Sequence, residues 1–202
     1  VILAFRIQAS HPFFMLRKMF QTGALLVLVL GISGCGRSAP PPAETASTVA
    51  DKSPKVHLDH AQPKLPTLRL WVGKLELTTE VARTTTEVAT GMMFRTNMAD
   101  NEAMLFVFGR PFQASFYMRN TTVPLSCAYI GPDGTILEIH DLKPLNEEPA
   151  LAKTDQVQFV LETVQGWFVK NGITPGMVIS TAHGGVREID WRTLRPAAAR
   201  GR

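Results

Sequence analysis

From residue 68 onward, apolar positions mostly recur at period two. Leu68, Leu70 and Val72 alternate, Gly73-Lys74 interrupts them, and Leu75 to Ala82 resumes the run, which predicts a β-hairpin. Thr84 and Glu87 have the spacing of a capping box. The helix they start reaches about Met93, with Val88/Met92 and Ala89/Met93 as i,i+4 pairs. Met104 to Phe108 is an unbroken apolar run and reads as a strand covered on both faces. Residues 115–121 alternate loosely, with Phe116 and Met118 on one side. Residues 122–130 place Val123, Leu125, Cys127 and Tyr129 on one face. These three stretches predict a β-meander at the core. After the Pro132-Asp133-Gly134 turn, residues 135–140 alternate again. Residues 141–155 form a long loop of the kind that often lines a binding site. Residues 156–163 are a strand with Phe159 and Leu161 inward. Residues 164–170 are a short helix stopped by Asn171-Gly172, and 178–181 a closing strand. The expected fold is α+β and mostly β: a small barrel-like antiparallel sheet with two short helices.

The N-terminal third has another pattern. Met15 offers a second start, which leaves residues 1–14 upstream of it. Leu16-Arg17-Lys18 then precedes the apolar run GALLVLVLGI, too short at about ten residues for a span that needs ~20. Residues 1–34 therefore read as a secretory signal peptide. The run ends in Ile32-Ser33-Gly34-Cys35, which resembles the lipobox of bacterial lipoprotein precursors. That resemblance implies cleavage before Cys35 and lipidation of its thiol. By analogy with Gram-negative lipoproteins, Gly36 in place of Asp implies the outer membrane, facing the periplasm. Residues 35–67 are then the lipidated Cys and a Pro/Ala-rich tether, 68–182 the folded domain, and 183–202 a basic, frayed tail. Within the tether, His57, Asp59 and His60 read as solvated rather than as a metal set.

The basic excess sits largely in the leader. The whole chain has 21 Lys+Arg against 17 Asp+Glu. Arg6, Arg17 and Lys18 precede Cys35 and no acid does, so the mature chain is nearly neutral. Without a basic stripe interleaved with aromatics, nucleic acid is not an expected partner.

Three motifs occur in order: GMMFR at Gly91, MLFVF at Met104, and FYMRNT followed by Pro124-Leu125. With VLE…GW at 160–167 and GI..G at 172–176, they resemble the DUF192 (UPF0127) domain family over roughly residues 68–182. The resemblance implies a compact β-rich fold and brings no established activity. It also implies Asp after Pro124-Leu125 and after Gly176, where Ser126 and Met177 stand.

The candidate ligand-binding residues are Arg95, Arg119, Asn120 and Thr121, because a guanidinium and an amide beside an aromatic wall suit a carboxylate or phosphate. Their structural alternatives are an Arg95 pair with Asp100 or Glu102 and an Asn120-Thr121 turn. Glu162 reads as a cap for the following helix, with a general base as the alternative. Cys127 reads as a buried thiol without a base. Catalytic residues, metal ligands and cofactors are not assigned. The expected function is a lipid-anchored envelope binding module for a small anionic ligand or an envelope protein. Two alternatives are a carboxylate-dependent hydrolase and a Cu(I) handler using Met92, Met93, Met104 and Met118.

Overall fold

The computed structural model describes residues 56–191. The expected signal peptide, Cys35, most of the expected tether and residues 192–202 lie outside the described residues. The elements run β1 (Thr67–Val72), β2 (Leu75–Ala82), α1 (Thr85–Thr90), β3 (Glu102–Phe112), β4 (Ser115–Phe116), β5 (Leu125–Ile130), β6 (Ile136–Leu142), β7 (Ala150–Leu151), β8 (Val157–Val164), α2 (Trp167–Lys170), β9 (Ile179–Thr181) and β10 (Gly184–Gly185). The fold is mostly β with two short α-helices. Eight strands form one sheet in the order β10-β9-β1-β2-β3-β8-β5-β6, and β4 pairs with β7 in a separate two-stranded sheet.

The sheet is mixed rather than antiparallel throughout. β2 and β3 run parallel because α1 lies between them and carries the chain back, the crossover that a parallel pair needs. The sheet curls without closing into a barrel. An isolated bridge, Thr135 to Val178, and backbone bonds from Ile136 N–H to the Met177 carbonyl at 2.8 Å and from Ile179 N–H to the Gly134 carbonyl at 2.9 Å bring the start of β6 to the start of β9.

The capping box forms as its spacing predicts: Thr84 Oγ1 accepts from Glu87 N–H at 3.2 Å, and Thr84 N–H donates back to Glu87 Oε2 at 2.9 Å. The helix stops at Gly91, whose φ of 46° a side chain would disfavour.

The expected meander does not form. β3 pairs with β2 and β8, whereas β5 pairs with β8 and β6. Residues 117–124 leave the sheet, because Asn120 adopts φ 53° and Pro124 has no N–H to give a ladder. The inward positions of Phe116 and Met118 are nonetheless correct; both are buried.

Both faces of the sheet are covered, so β5 is buried at all six positions. One face packs a cluster of Met92, Met104, Phe106, Phe116, Met118, Val123, Leu125, Cys127, Tyr129 and Leu142, with Val88 of α1. The other packs Leu70, Leu77, Leu105, Phe159 and Leu161 against Trp167 and Phe168 of α2.

Both ends of the domain reach further than the alternation suggests. Before β1, Leu58 N–H donates to Thr90 Oγ1, and Gln62 Nε2 donates to the Gly91 carbonyl at 2.9 Å, so residues 58–62 lie against α1 rather than in a free tether. After β9, Trp191 docks on Phe159 at 5.6 Å between ring centroids, and Arg83 donates to its carbonyl. The part of the tail from 183 to 191 is thus ordered rather than frayed.

Candidate functional site

Three non-glycine residues among those described have positive φ: Phe94 (62°), Asn120 (53°) and Leu145 (60°). All three meet. Phe94 N–H donates to the Asn120 carbonyl at 2.8 Å, and Leu145 N–H donates to the neighbouring Thr121 carbonyl at 3.0 Å. Asn120 Nδ2 also reaches Met93 Sδ, and Thr122 Oγ1 donates to the Arg95 carbonyl. A left-handed backbone costs a bulky residue about 1–2 kcal/mol. Here the two bulky members, Phe94 and Leu145, also have exposed side chains, 36% and 59%. Burial therefore does not repay the strain.

Each strained turn hangs from the first core cluster. Met92 precedes Phe94, Met118 precedes Asn120, and Leu142 precedes Leu145; all three are buried there. This explains two of the sequence motifs together: GMMFR and FYMRNT supply the two sides of one corner.

The four predicted site residues divide at this corner. Arg95 is committed to structure. Its guanidinium donates twice to Glu80, at 2.6 and 2.8 Å, and both side chains are almost fully buried. The partner is neither Asp100 nor Glu102. It lies 15 residues upstream on β2, where local spacing gives no hint of it. Arg119 is on the surface, paired through Nε and Nη2 with Glu147 at 3.0 and 2.7 Å and lying over the Tyr117 ring. That hydrogen bond holds the Glu147 carboxyl below its usual range. Asn120 and Thr121 form the turn, with Thr121 N–H donating to the Met118 carbonyl at 3.1 Å. Backbone bonds thus bring three segments together, around Phe94, Asn120 and Leu145, while the two guanidinium groups serve different carboxylates.

A cavity of about 270 Å³ opens beside Phe94. It is lined by Met92, Phe94, Arg95 and Met98, with the Lys64–Glu102 pair at its rim. Its charges come as two cations and two anions. Neither Ser126 nor Met177 lines it. Ser126 donates to Asp141 Oδ1 and accepts from Gly166 N–H, so an Asp there would face a second carboxylate. Met177 packs against the second core cluster, on the far side of the sheet from the corner.

Several expected side chains prove to be core. Met92, Met93, Met104 and Met118 are all at most 1% exposed. Cys127 is a free buried thiol, its pKa pushed well up by burial. His57 turns to the Leu58 carbonyl and His60 to Asp59. Among the described residues, no three His, Cys, Asp or Glu side chains converge.

Glu162 is the residue that sequence reasoning misjudged. It does not cap α2, whose first turn has no side-chain cap. It lies fully buried on β8, between Met104 of β3 and Cys127 of β5, and neither carboxylate oxygen has a hydrogen-bond partner. Burial raises its pKa to about 7.

The sequence matches the DUF192 family, described as "Uncharacterized ACR", over residues 69–181, more than half of the chain. The chain belongs to the DUF192 family. Two crystal structures of similar chains agree. A Novosphingobium aromaticivorans protein of unknown function is 35% identical, with a TM-score of 0.55 over 57% of this chain and 86% of that one. A Sinorhizobium meliloti protein described as a candidate transcription regulator is 32% identical, with a TM-score of 0.54 over 58% and 93%. No curated protein matches. The match takes in all three motifs, so this member of DUF192 builds its strained corner from the family's own segment.

Proposed function

We propose that this DUF192 chain is a lipid-anchored envelope protein whose folded domain is a binding module. The corner of Phe94, Arg119, Asn120 and Leu145 is its recognition surface. One observation carries the reading: three left-handed, non-glycine residues meet at one turn, Phe94 bonded to Asn120 and Leu145 to the adjacent Thr121, and the two bulky ones are exposed. Such strain is expected where a side chain must be presented, since a glycine would fit each turn at lower cost.

The anionic group of the ligand is assigned to Arg119. Releasing Arg95 from Glu80 would strand a buried carboxylate, which is costly. Opening an exposed pair such as Arg119–Glu147 costs little. A carboxylate or phosphate on the ligand can therefore take the place of Glu147, while Phe94, Leu145 and the small cavity receive its apolar part. An envelope protein with an acidic, apolar tip presents the same chemistry. The regulator description of the Sinorhizobium protein would need a basic face, and the near-neutral mature chain gives no support for one.

Membrane attachment rests on the order of n-region, h-region, small residues and Cys35. Two or more acyl chains at Cys35 anchor stably where one does not.

Two measurements test the proposal. Cys35→Ser is expected to move the protein from the membrane to the soluble fraction and remove the acyl mass; continued membrane retention would contradict the anchor. Native mass spectrometry of protein from its own envelope is expected to show a retained adduct in the wild type and none in Arg119→Ala, at equal melting temperature. An adduct that persists in Arg119→Ala would sink the assignment of the anion to this side chain.

A further inference from the structure

Glu162 has no role in the recognition surface, yet it borders the core cluster that carries it. Its neighbours across the sheet, Met104 and Cys127, belong to the same core cluster as Met92, Met118 and Leu142, from which the three strained turns hang. We infer that Glu162 is a proton switch for the binding corner: protonated, it lets the cluster close and hold the corner; ionised, it loosens both. The inference rests on reading the corner as the recognition surface and adds its regulation.

The physical reason is that the described residues give the carboxylate no alternative. A buried ion is held by a counter-charge, by hydrogen bonds or by a metal, and Glu162 has no hydrogen-bond partner. The groups on this face in each packed strand offer no counter-charge. On β2, Glu80 is taken by Arg95, and on β3 Glu102 by Lys64. On β5, Cys127 and Tyr129 are both pushed upward by burial and stay neutral. On β6, Glu138 holds His140 at 3.1 Å, and the His140 ring stacks on Tyr129. A new negative charge at position 162 can be solvated only if the cluster separates. Met92, Met118 and Leu142 are the parts of it joined to surface turns rather than to the centre of the sheet. Burial places the proton's release near pH 7, where modest changes outside the cytoplasm would move it.

The test is a native-state NMR titration of the full folded domain from pH 5 to pH 9, without ligand. The amide resonances of Phe94, Thr121 and Leu145 are expected to shift with a common midpoint near pH 7, the same midpoint as the side-chain carboxyl carbon of Glu162. Those of Leu70, Leu77 and Ile179, on the opposite face, are expected to stay. The corner shifts should vanish in Glu162→Gln and in Glu162→Leu, and persist in His140→Gln. Corner resonances that stay fixed while Glu162 titrates would overturn the inference. So would shifts that survive Glu162→Gln, that are lost in His140→Gln, or that spread equally to both faces. Because no ligand is used, such a failure leaves the recognition surface itself untouched.

Discussion

As pH rises from about 4.5 to about 7, the domain is expected to lose about 3 kcal/mol of stability, and Glu162→Gln is expected to abolish that loss. The sign follows from where the proton resides. Below the unfolded pKa of 4.5, Glu162 is protonated in both states and folding bears no penalty. Between the two pKa values the unfolded chain releases the proton while the folded one keeps it, so the unfolded state gains. Above about 7 both are ionised and the penalty is constant. The lowered carboxyl of Glu102 acts in the opposite sense. It accepts from Ala99 N–H and from Lys64, and its contribution is lost only as pH falls through the acid range. The stability maximum therefore lies on the mildly acidic side of neutrality. Thermal melts at pH 5 and pH 8 should differ by roughly 10 °C in the wild type. Glu162→Gln should melt higher than the wild type at pH 8 and nearly the same at pH 5. Equal wild-type melts at both values would show that Glu162 has found a partner.

Arg95→Ala is expected to destabilise the fold by about 3 kcal/mol, because it leaves Glu80 buried without its main partner. The effect falls at the lower end for a broken buried pair. Leu65 N–H still donates to Glu80 at 2.7 Å, and Lys64 lies 3.8 Å away. Denaturant melts check this directly. Restoring an uncharged pair with Arg95→Met and Glu80→Leu together should recover most of the loss, since the cost comes from the stranded charge. If Arg95→Ala melts like the wild type, the bidentate pair is not a structural element. Arg95 would then return as a candidate for the ligand's anion. Alanine at Arg119, whose partner is exposed, should scarcely move the melt.

What the sequence made legible follows from periodicity. The hairpin of β1 and β2, the capping box at Thr84 and the two-sided burial of Met104 to Phe106 are local facts written in local spacing. The strand–helix–strand run from Leu75 to Phe108 also held the parallel pair, although the alternation alone suggested an antiparallel sheet. Partners far apart in the chain were not legible. Arg95 and Glu80 meet because the segment between α1 and β3 folds back on β2, and no spacing rule connects Phe94, Asn120 and Leu145. The motif segments pointed at the right place for a different reason from the one first assigned. Their polar residues build a strained turn, and one guanidinium of the two remains at the surface. For Glu162, alternation gave the correct face and the wrong depth. It separates two faces of a strand but cannot tell that α1 and the small β4–β7 sheet cover the second one. The run Val157–Val164, with Phe159, Val160 and Leu161 covering both faces just before its single acid, was the signal available.

The most direct test of the binding corner is Phe94→Gly, followed by native mass spectrometry and thermal melting on the same envelope-derived protein. Glycine accepts φ 62° without strain, so the melting temperature is expected to hold or rise while the retained mass disappears. A variant that keeps its adduct, or that loses it only by unfolding, would mean that Phe94 is held in its left-handed turn for some purpose other than recognition.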